Sequence, residues 1–271
     1  MSVSGFRVAK TRLLSVVRRG PGEVVWTPEF MGLGNLLYIA LWVARDRSNR
    51  SMLRTPALVR WLSVFPALEQ LSVSREAVGF TDVRRSAITQ SYGSFGTDFS
   101  EGELKDFITT YLLPSHRPTV SGRLAMNIRR GDYFADPSVR GYFGFDLDAY
   151  LRVAIGGMRD QEPLGRVLIV SDGLDWCRAR LGWVGEMADV EYASVTSPAD
   201  DFWRVATSRR ILMTNSTFSY WAGYVHDVLQ PDAASHVWAP AFFSRWQPDH
   251  RSWGLDPRWS VIEDIPGGWD S

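Results

Sequence analysis

The sequence predicts an α/β fold built on parallel sheet, from three observations. Short runs rich in β-branched residues alternate with longer segments of helical spacing through the second half of the chain. Arg166 to Val170 is apolar on consecutive residues from Val167 onward, the pattern of a strand covered on both faces. Glycine, aspartate or hydroxyl residues stand where such runs hand over to helices, as crossovers require. At 271 residues the chain has room for one large or two modest domains.

The elements follow in order. Residues 1–20 read as a basic amphipathic lead-in, broken by Gly20-Pro21-Gly22. Glu23 to Thr27 is rich in β-branched and aromatic residues and reads as a strand. The turn Met31-Gly32-Leu33-Gly34 follows, then a helix from Asn35, as N-cap, to Arg47. Residues 51–118 are mixed, with helical spacing over 57–71 and 101–112, and Pro114 and Pro118 mark a domain boundary. Beyond it, strands are expected at Arg123–Ile128, Arg166–Val170, Val190–Ala193 and Arg210–Met213. The helices between and after them are expected at Leu147–Met158, capped by Asp146, at 174–181, at Asp200–Arg209 and at Phe218–Val228. No internal repeat or low-complexity segment is present.

Composition narrows the function. Hydrophobic residues make up 45% and charged residues 22%, which excludes a disordered or fibrous chain. Thirty basic and thirty acidic residues cancel, so no strong basic field favours nucleic acid. Residues 1–60 nevertheless hold ten Lys/Arg against three acids. That surplus reads as a solvated basic face or, as the less favoured alternative, as attraction to phosphate or weakly to an anionic membrane surface. Only two of the thirty basic residues are lysines, a bias of GC-rich genomes that says little about function. One cysteine, Cys177, rules out an internal disulfide and a multi-cysteine zinc site. The four histidines show no ligand spacing, no Asp-x-Asp stands at a strand end, and so no metal is expected. Asp200-Asp201 reads as an acidic pair favouring a helix dipole. The longest apolar run, Leu36–Ala44, is too short to span a bilayer, and a cytoplasmic setting is expected.

Parallel α/β sheets bind ligands beyond the carboxyl ends of their strands. Four such places carry chemistry. Gly32, Gly34 and Asn35 open a helix after a strand, where backbone can approach an anion; a plain tight turn is the alternative. Asn127-Ile128-Arg129-Arg130-Gly131-Asp132-Tyr133 puts two arginines at a strand end. Alternation aims them in opposite directions, one at a ligand and one at structure, unless both merely pair with surface acids. Ser171-Asp172-Gly173 offers a carboxylate for a ribose or base, or a helix cap. Asn215, Ser216, Thr217 and Phe218 open a helix whose hydroxyls and N–H groups can cradle a phosphate. Together they point to a phosphate-bearing ligand, with a nucleotide favoured over an inorganic anion. The missing GxGxxG disfavours a nicotinamide oxidoreductase.

In order and spacing, these strings resemble the α-1,2-fucosyltransferases of glycosyltransferase family 11. The resemblance rests on Gly32-Leu33-Gly34-Asn35-Leu36, on Asn127 to Tyr133, on the aromatic-rich Tyr142 to Ile155, and on Ser171 to Cys177. Asn215 to Ala222 and a Pro…Trp pattern over Pro240 to Trp246 complete it. It implies a GT-B-like fold with two Rossmann-like halves and a cleft between them. Residues 1–118 would form the acceptor side and 119–271 the donor side. It further implies an inverting transfer of fucose from GDP-fucose to a glycan hydroxyl, in poly- or oligosaccharide synthesis, with no cofactor beyond that donor substrate. Arg129 matches the arginine on the β-phosphate, Ser216, Thr217 and Phe218 the phosphate-cradling helix start, and Asp172 a position near the guanosine. Asp132 is the side-chain candidate for general base. Its alternative is an ion pair that only orients an arginine, because an arginine-paired carboxylate is a weak base.

The chain departs from the family pattern at Asn127, where the family has His, at Leu36, where it has Gln, and at Tyr220, where it has Trp. Asparagine can hydrogen-bond but cannot carry a proton. These changes keep two alternatives open: a transferase for another nucleotide sugar on the same scaffold, or a weakened homologue that binds nucleotide or glycan.

Overall fold

The computed structural model describes residues 20, 22–86, 93–113, 118–194, 197–247 and 249–270. The basic lead-in before Gly20, Pro21 and Pro114 lie outside them. The chain divides into two compact units, one within Met1–Tyr92 plus Asp106–Leu113, the other within Gly93–Lys105 plus Pro114–Ser271.

The first unit holds strands β1 (Glu23–Trp26), β2 (Arg50–Leu53), β3 (Ser72–Val73) and β4 (Val83–Ser86). They form an all-parallel sheet in the order β3-β2-β1-β4. Helix α1 (Leu33–Ala44) carries the longest apolar run, and Leu36, Leu37, Ala40 and Val43 are fully buried along it. Asn35 is not its cap. Met31 N–H closes a turn on the Pro28 carbonyl, so the chain enters the helix earlier, with Gly32 as N-cap and Asn35 in the first turn. The helix expected over 57–71 is split into α2 (Pro56–Leu62) and a 3₁₀ turn (Pro66–Leu71). Pro66 has no N–H to offer and disfavours helical geometry at Phe65, which sits at φ −124°, ψ 73°. Strands β2 to β4 went unforeseen because they are short, half-buried and partly polar.

The second unit is built on a six-stranded, all-parallel sheet: β5 (Ser121–Ile128), β6 (Arg166–Ser171), β7 (Asp189–Tyr192), β8 (Ser208–Met213), β9 (Val237–Pro240) and β10 (Ser260–Ile262). The order is β10-β9-β8-β5-β6-β7. Counted from β5 it reads 3-2-1-4-5-6, the Rossmann order, whose switch point lies between β5 and β8. The chain runs outward from β5 through β6 to β7, then returns and runs the other way from β8. In sheets of this order the connections on the two sides of that point diverge, and ligands bind beyond the strand ends there.

Helices α3 (Glu101–Phe107, continued by a π turn at Ile108–Leu112), α4 (Gly131–Ala135), α5 (Pro137–Phe143), α6 (Leu147–Gln161), α7 (Leu174–Arg180), α8 (Pro198–Ala206) and α9 (Thr217–Leu229) complete the fold. Asp146 caps α6 by accepting from Ala149 N–H at 3.0 Å, as its position predicts. Tyr150, Leu151, Ala154, Ile155 and Met158 of α6 pack on Leu124, Met126 and Ile128 of β5. Helix α8 begins before Asp200. Ser197 is its cap and Asp200 returns the hydrogen bond, a reciprocal box that absorbs the acidic pair into local structure.

The division expected at residue 118 needs one amendment, since 93–105 pack with the C-terminal unit. Phe95 N–H bonds the Trp253 carbonyl, Phe99 meets Tyr224 edge-on at 5.9 Å, and Glu101 pairs with Arg258 at 2.6 Å. No helix among the described residues is long and apolar enough to cross a membrane.

Candidate functional site at the switch point

Register brings the site together. In the sheet Ile128 of β5 lies beside Ser171 of β6, and Asn127 lies beside Met213 of β8. The next residues of the three strands, Arg129, Asp172 and Thr214, therefore emerge side by side at the carboxyl edge. Arg129 N–H donates to Thr214 Oγ1 at 2.8 Å. Asp172 turns back over the arginine loop. Its Oδ1 accepts from Arg130 N–H at 2.6 Å and Gly131 N–H at 3.0 Å, and its Oδ2 accepts from Arg129 Nη1 at 2.5 Å. Arg129 Nη2 reaches Asp132 at 2.6 Å.

The guanidinium of Arg129 is thus held between two carboxylates and stays 37% exposed. A guanidinium has about five N–H donors. Two of them are committed here, which leaves three for a ligand oxygen.

The neighbouring arginine points elsewhere. Arg130 lies between the rings of Phe134, 4.1 Å away, and Trp176, 4.3 Å away. Desolvation lowers its pKa from the usual arginine value. Two glycines make room for this loop. A Cβ on Gly131 would lie 2.5 Å from Asp172 Oδ2, and one on Gly173 would lie 2.7 Å from Arg130 Cβ. Gly131→Ala is therefore expected to push the Asp172 carboxylate off Arg129 and to reduce turnover on the order of tenfold or more with the fold intact. Paired activity and circular-dichroism measurements check it, and wild-type turnover would refute it.

Helix α9 starts beside Arg129 at the end of β8. Its cap, Ser216, is extended and makes no side-chain capping bond, and no acid lies in the first turn. The positive end of the helix dipole is left available to an anion. Thr217 and Phe218 follow, both half-buried, and Phe218 meets Phe202 edge-on at 5.6 Å.

Several residues expected at the ligand instead hold the scaffold. Asn215 is fully buried and its Nδ2 donates to the Phe143 and Phe243 carbonyls, both at 2.8 Å. Ser171 Oγ accepts from Gly173 N–H at 2.9 Å and closes a serine turn. Asp172 caps no helix, because the N-cap of α7 is Gly173 and the carboxylate is engaged on the arginine loop. Asn127 is buried. Its Oδ1 accepts from Ser219 Oγ at 2.5 Å and its Nδ2 reaches the Val170 carbonyl at 3.4 Å, so it ties β5 to α9 and β6. Gly32, Gly34 and Asn35 lie in the first unit, with Gly32 and Asn35 exposed and Gly34 buried at the start of α1. Leu36 is fully buried, so it acts through the core of that unit and not through direct ligand contact.

Three residues escaped the sequence reading. Thr214, fully buried, anchors the backbone of Arg129. Its position directly after an apolar strand was the available signal. Phe134 carried none, and Trp176 stood in the Ser171 to Cys177 string without a role, because the two rings that sandwich Arg130 are 42 residues apart in sequence. Tyr133 stacks on Phe143 at 4.4 Å and lies 5.3 Å from Arg129 Cζ. Burial pushes its phenol up to about 12, so it acts as a neutral wall and not as a base. Burial likewise raises the Cys177 thiol, which gives no reactive thiolate at this edge. No group of three or more metal-ligating side chains occurs among the described residues.

Residues 112–230 match the model of glycosyl transferase family 11. The chain is similar to galactoside alpha-(1,2)-fucosyltransferase 1 of Aotus azarae, 30% identical over 105 residues, 38% of this chain and 28% of that one. It is 27% identical to the Sus scrofa protein of the same name over 131 residues, 47% of this chain and 35% of that one. The chain thus spans about a third of the length of the curated relatives it matches. It is also similar, at 10% identity, to the solved structure of an Arabidopsis thaliana FUT1 mutant in complex with GDP. That likeness covers 80% of this chain and 72% of the other, with a TM-score of 0.42. The segment that matches the glycosyl transferase family 11 model, residues 112–230, is the one that carries Arg129, Asp172 and Thr214.

Proposed function

We propose that the protein transfers fucose from GDP-fucose to a hydroxyl of a galactoside, forming an α-1,2 link. The observation that carries this is the position of the family 11 segment. It contains the switch-point arginine, the carboxylates that orient it and the uncapped start of α9. The names of the relatives supply the sugar and the linkage. The donor belongs to the C-terminal unit and the acceptor side to the N-terminal unit, where Gly32, Gly34 and Asn35 stand at a helix start.

In this mechanism the diphosphate gains negative charge as the bond to the anomeric carbon breaks. The uncommitted N–H groups of Arg129 and the N-terminal N–H groups of α9 stabilise that charge. Asp132, 56% exposed, holds Arg129 from one side and is proposed to take the proton that the acceptor hydroxyl loses as its oxygen bonds to the anomeric carbon and the bond to the diphosphate breaks. Displacement from the opposite face inverts the anomeric configuration.

Because arginine and helix N–H groups offset the phosphate charge, the reaction is proposed to need no divalent metal. GDP is expected to raise the melting temperature more than UDP by mass action. Turnover of GDP-fucose is expected to survive EDTA. A preference for UDP, or activity lost in EDTA and restored by Mg²⁺, would overturn this reading. The setting proposed is cytoplasmic, with weak attachment to an anionic membrane face through the basic surplus of residues 1–60. Co-sedimentation with anionic vesicles at low salt tests the attachment.

Asn127 carries its own expectation. It already meets Ser219 and Val170 as a hydrogen-bonding brace. Asn127→His is therefore expected to change turnover by less than about tenfold while lowering the melting point, since the larger ring must fit a filled site. Activity rising from near zero in this variant would mark the wild type as a weakened homologue.

A further inference from the structure

The described aromatic side chains of the C-terminal unit are buried, as Tyr150, Tyr220, Trp221, Tyr224 and Phe242 are, or half-buried, as Phe143 and Phe218 are, with two exceptions. Tyr142 is 43% exposed and Trp246 is 64% exposed, and their rings lie 4.8 Å apart with a 42° angle between their planes. Single exposed rings are ordinary, whereas a contiguous exposed aromatic pair marks a binding surface.

The pair is held in place from beneath and from the side. Trp246 meets Phe143 edge-on at 5.0 Å. Arg245 N–H bonds the Tyr142 carbonyl at 2.9 Å. The Arg245 guanidinium bonds the Gly144 carbonyl at 2.8 Å, the Trp269 carbonyl at 2.7 Å and Asp270 at 2.7 Å. Asn215, at the end of β8, bonds the Phe143 carbonyl. A platform fixed this firmly needs little ordering when a ligand arrives.

It is also continuous with the switch-point site. From Arg129 the rings run through Tyr133, 5.3 Å from its Cζ, to Phe143, stacked on Tyr133, and on to Trp246 and Tyr142. A ligand group next to the phosphate subsite can therefore reach the platform without leaving this unit.

We infer that Tyr142 and Trp246 form a sugar-binding platform that takes one pyranose ring of a β-galactoside acceptor, in addition to whatever the N-terminal unit contributes. The shape favours a sugar over a base. A planar base is best held against parallel faces, whereas these two rings touch and are tilted by 42° to each other. A pyranose is puckered and offers a face of C–H groups carrying slight positive charge, which match the negative faces of the rings. The phenol and indole N–H lie at the polar end of each ring, where sugar hydroxyls can meet them.

This inference rests on the transferase reading, and the experiment separates the two. Saturation-transfer NMR of phenyl β-D-galactoside would be recorded with wild type, Trp246→Ala, Tyr142→Ala and Trp246→Phe. Acceptor KM, GDP affinity and acceptor-free hydrolysis of GDP-fucose would be measured alongside. Trp246→Ala is expected to weaken the galactoside signal and raise acceptor KM by about tenfold, with partial recovery in Trp246→Phe. GDP affinity and donor hydrolysis are expected to stay at wild-type values. An unchanged acceptor KM, a wild type with no saturation transfer from the galactoside, or a loss confined to GDP affinity would each overturn the platform. A wild type that binds the galactoside through Trp246 but binds no GDP would instead overturn the transferase reading and leave the platform standing.

Discussion

Arg129→Lys is expected to lower kcat/KM by on the order of 10²–10³-fold, about 3–4 kcal/mol of lost transition-state stabilisation. Lysine keeps the positive charge but offers a single ammonium on a flexible stem. It cannot span Asp132 and Asp172 and also present donors to a diphosphate. In the proposed transfer the loss should fall on kcat as well as on KM, because there the interaction strengthens as the phosphate becomes a leaving group. Arg130→Lys is the control. Its guanidinium stacks between Phe134 and Trp176. Its replacement should lower the melting temperature and leave kcat close to wild type. GDP affinity, turnover and melting temperature of both variants check this. If Arg130→Lys is the inactive one, the roles are reversed; if neither loses activity, this loop does not meet the donor.

The second large effect is expected at Asp172. Asp172→Ala removes the acceptor for two backbone N–H groups and for one arm of Arg129. Hydrogen bonds to charged groups contribute about 1.5–3 kcal/mol each in protected settings. The side chain is a third exposed, so solvent screening reduces that contribution. A net loss of about 2–3 kcal/mol, on the order of 5–10 °C in melting temperature, is expected. Turnover should fall by on the order of 10²-fold because the arginine loses its geometry. Asp172→Asn separates the two effects. Its carbonyl oxygen can still accept from the backbone N–H groups, but its amide would face Arg129 donor to donor. It should melt near wild type and still turn over slowly. Wild-type turnover in Asp172→Ala would refute the positioning role.

Much of the fold was readable from the residues alone. The strand at Arg166–Val170 and the helix capped by Asp146 carry strong local signals, an unbroken apolar run and a cap at the right spacing. The strands β2, β3 and β4 carried none, because two to four half-polar residues have no period to detect. Helix α5 was missed although Asp136 caps it by accepting from Ser138 N–H, since the segment is short and buries no residue fully. The helix expected over 57–71 failed at Pro66, a breaker that outweighs the apolar spacing around it.

The residues themselves determined the α/β class, the parallel sheets and the gathering of Arg129, Asp172 and the Asn215–Thr217 stretch at strand ends. Strand periodicity and the composition of the turns are local properties, so they can be read one segment at a time. Only the tertiary structure decided what each side chain does there. Asp172 reaches back over residues 129–131 instead of capping α7, Asn215 braces two loops from within, and Leu36 lies in the core of the other unit. Each of these depends on a partner brought alongside by sheet register or packing. Arg129 and Asp172 are 43 positions apart, and Arg129 and Thr214 are 85 apart. No local pattern encodes such distances, because the free energy that sets the register comes from burying whole strands and helices against one another.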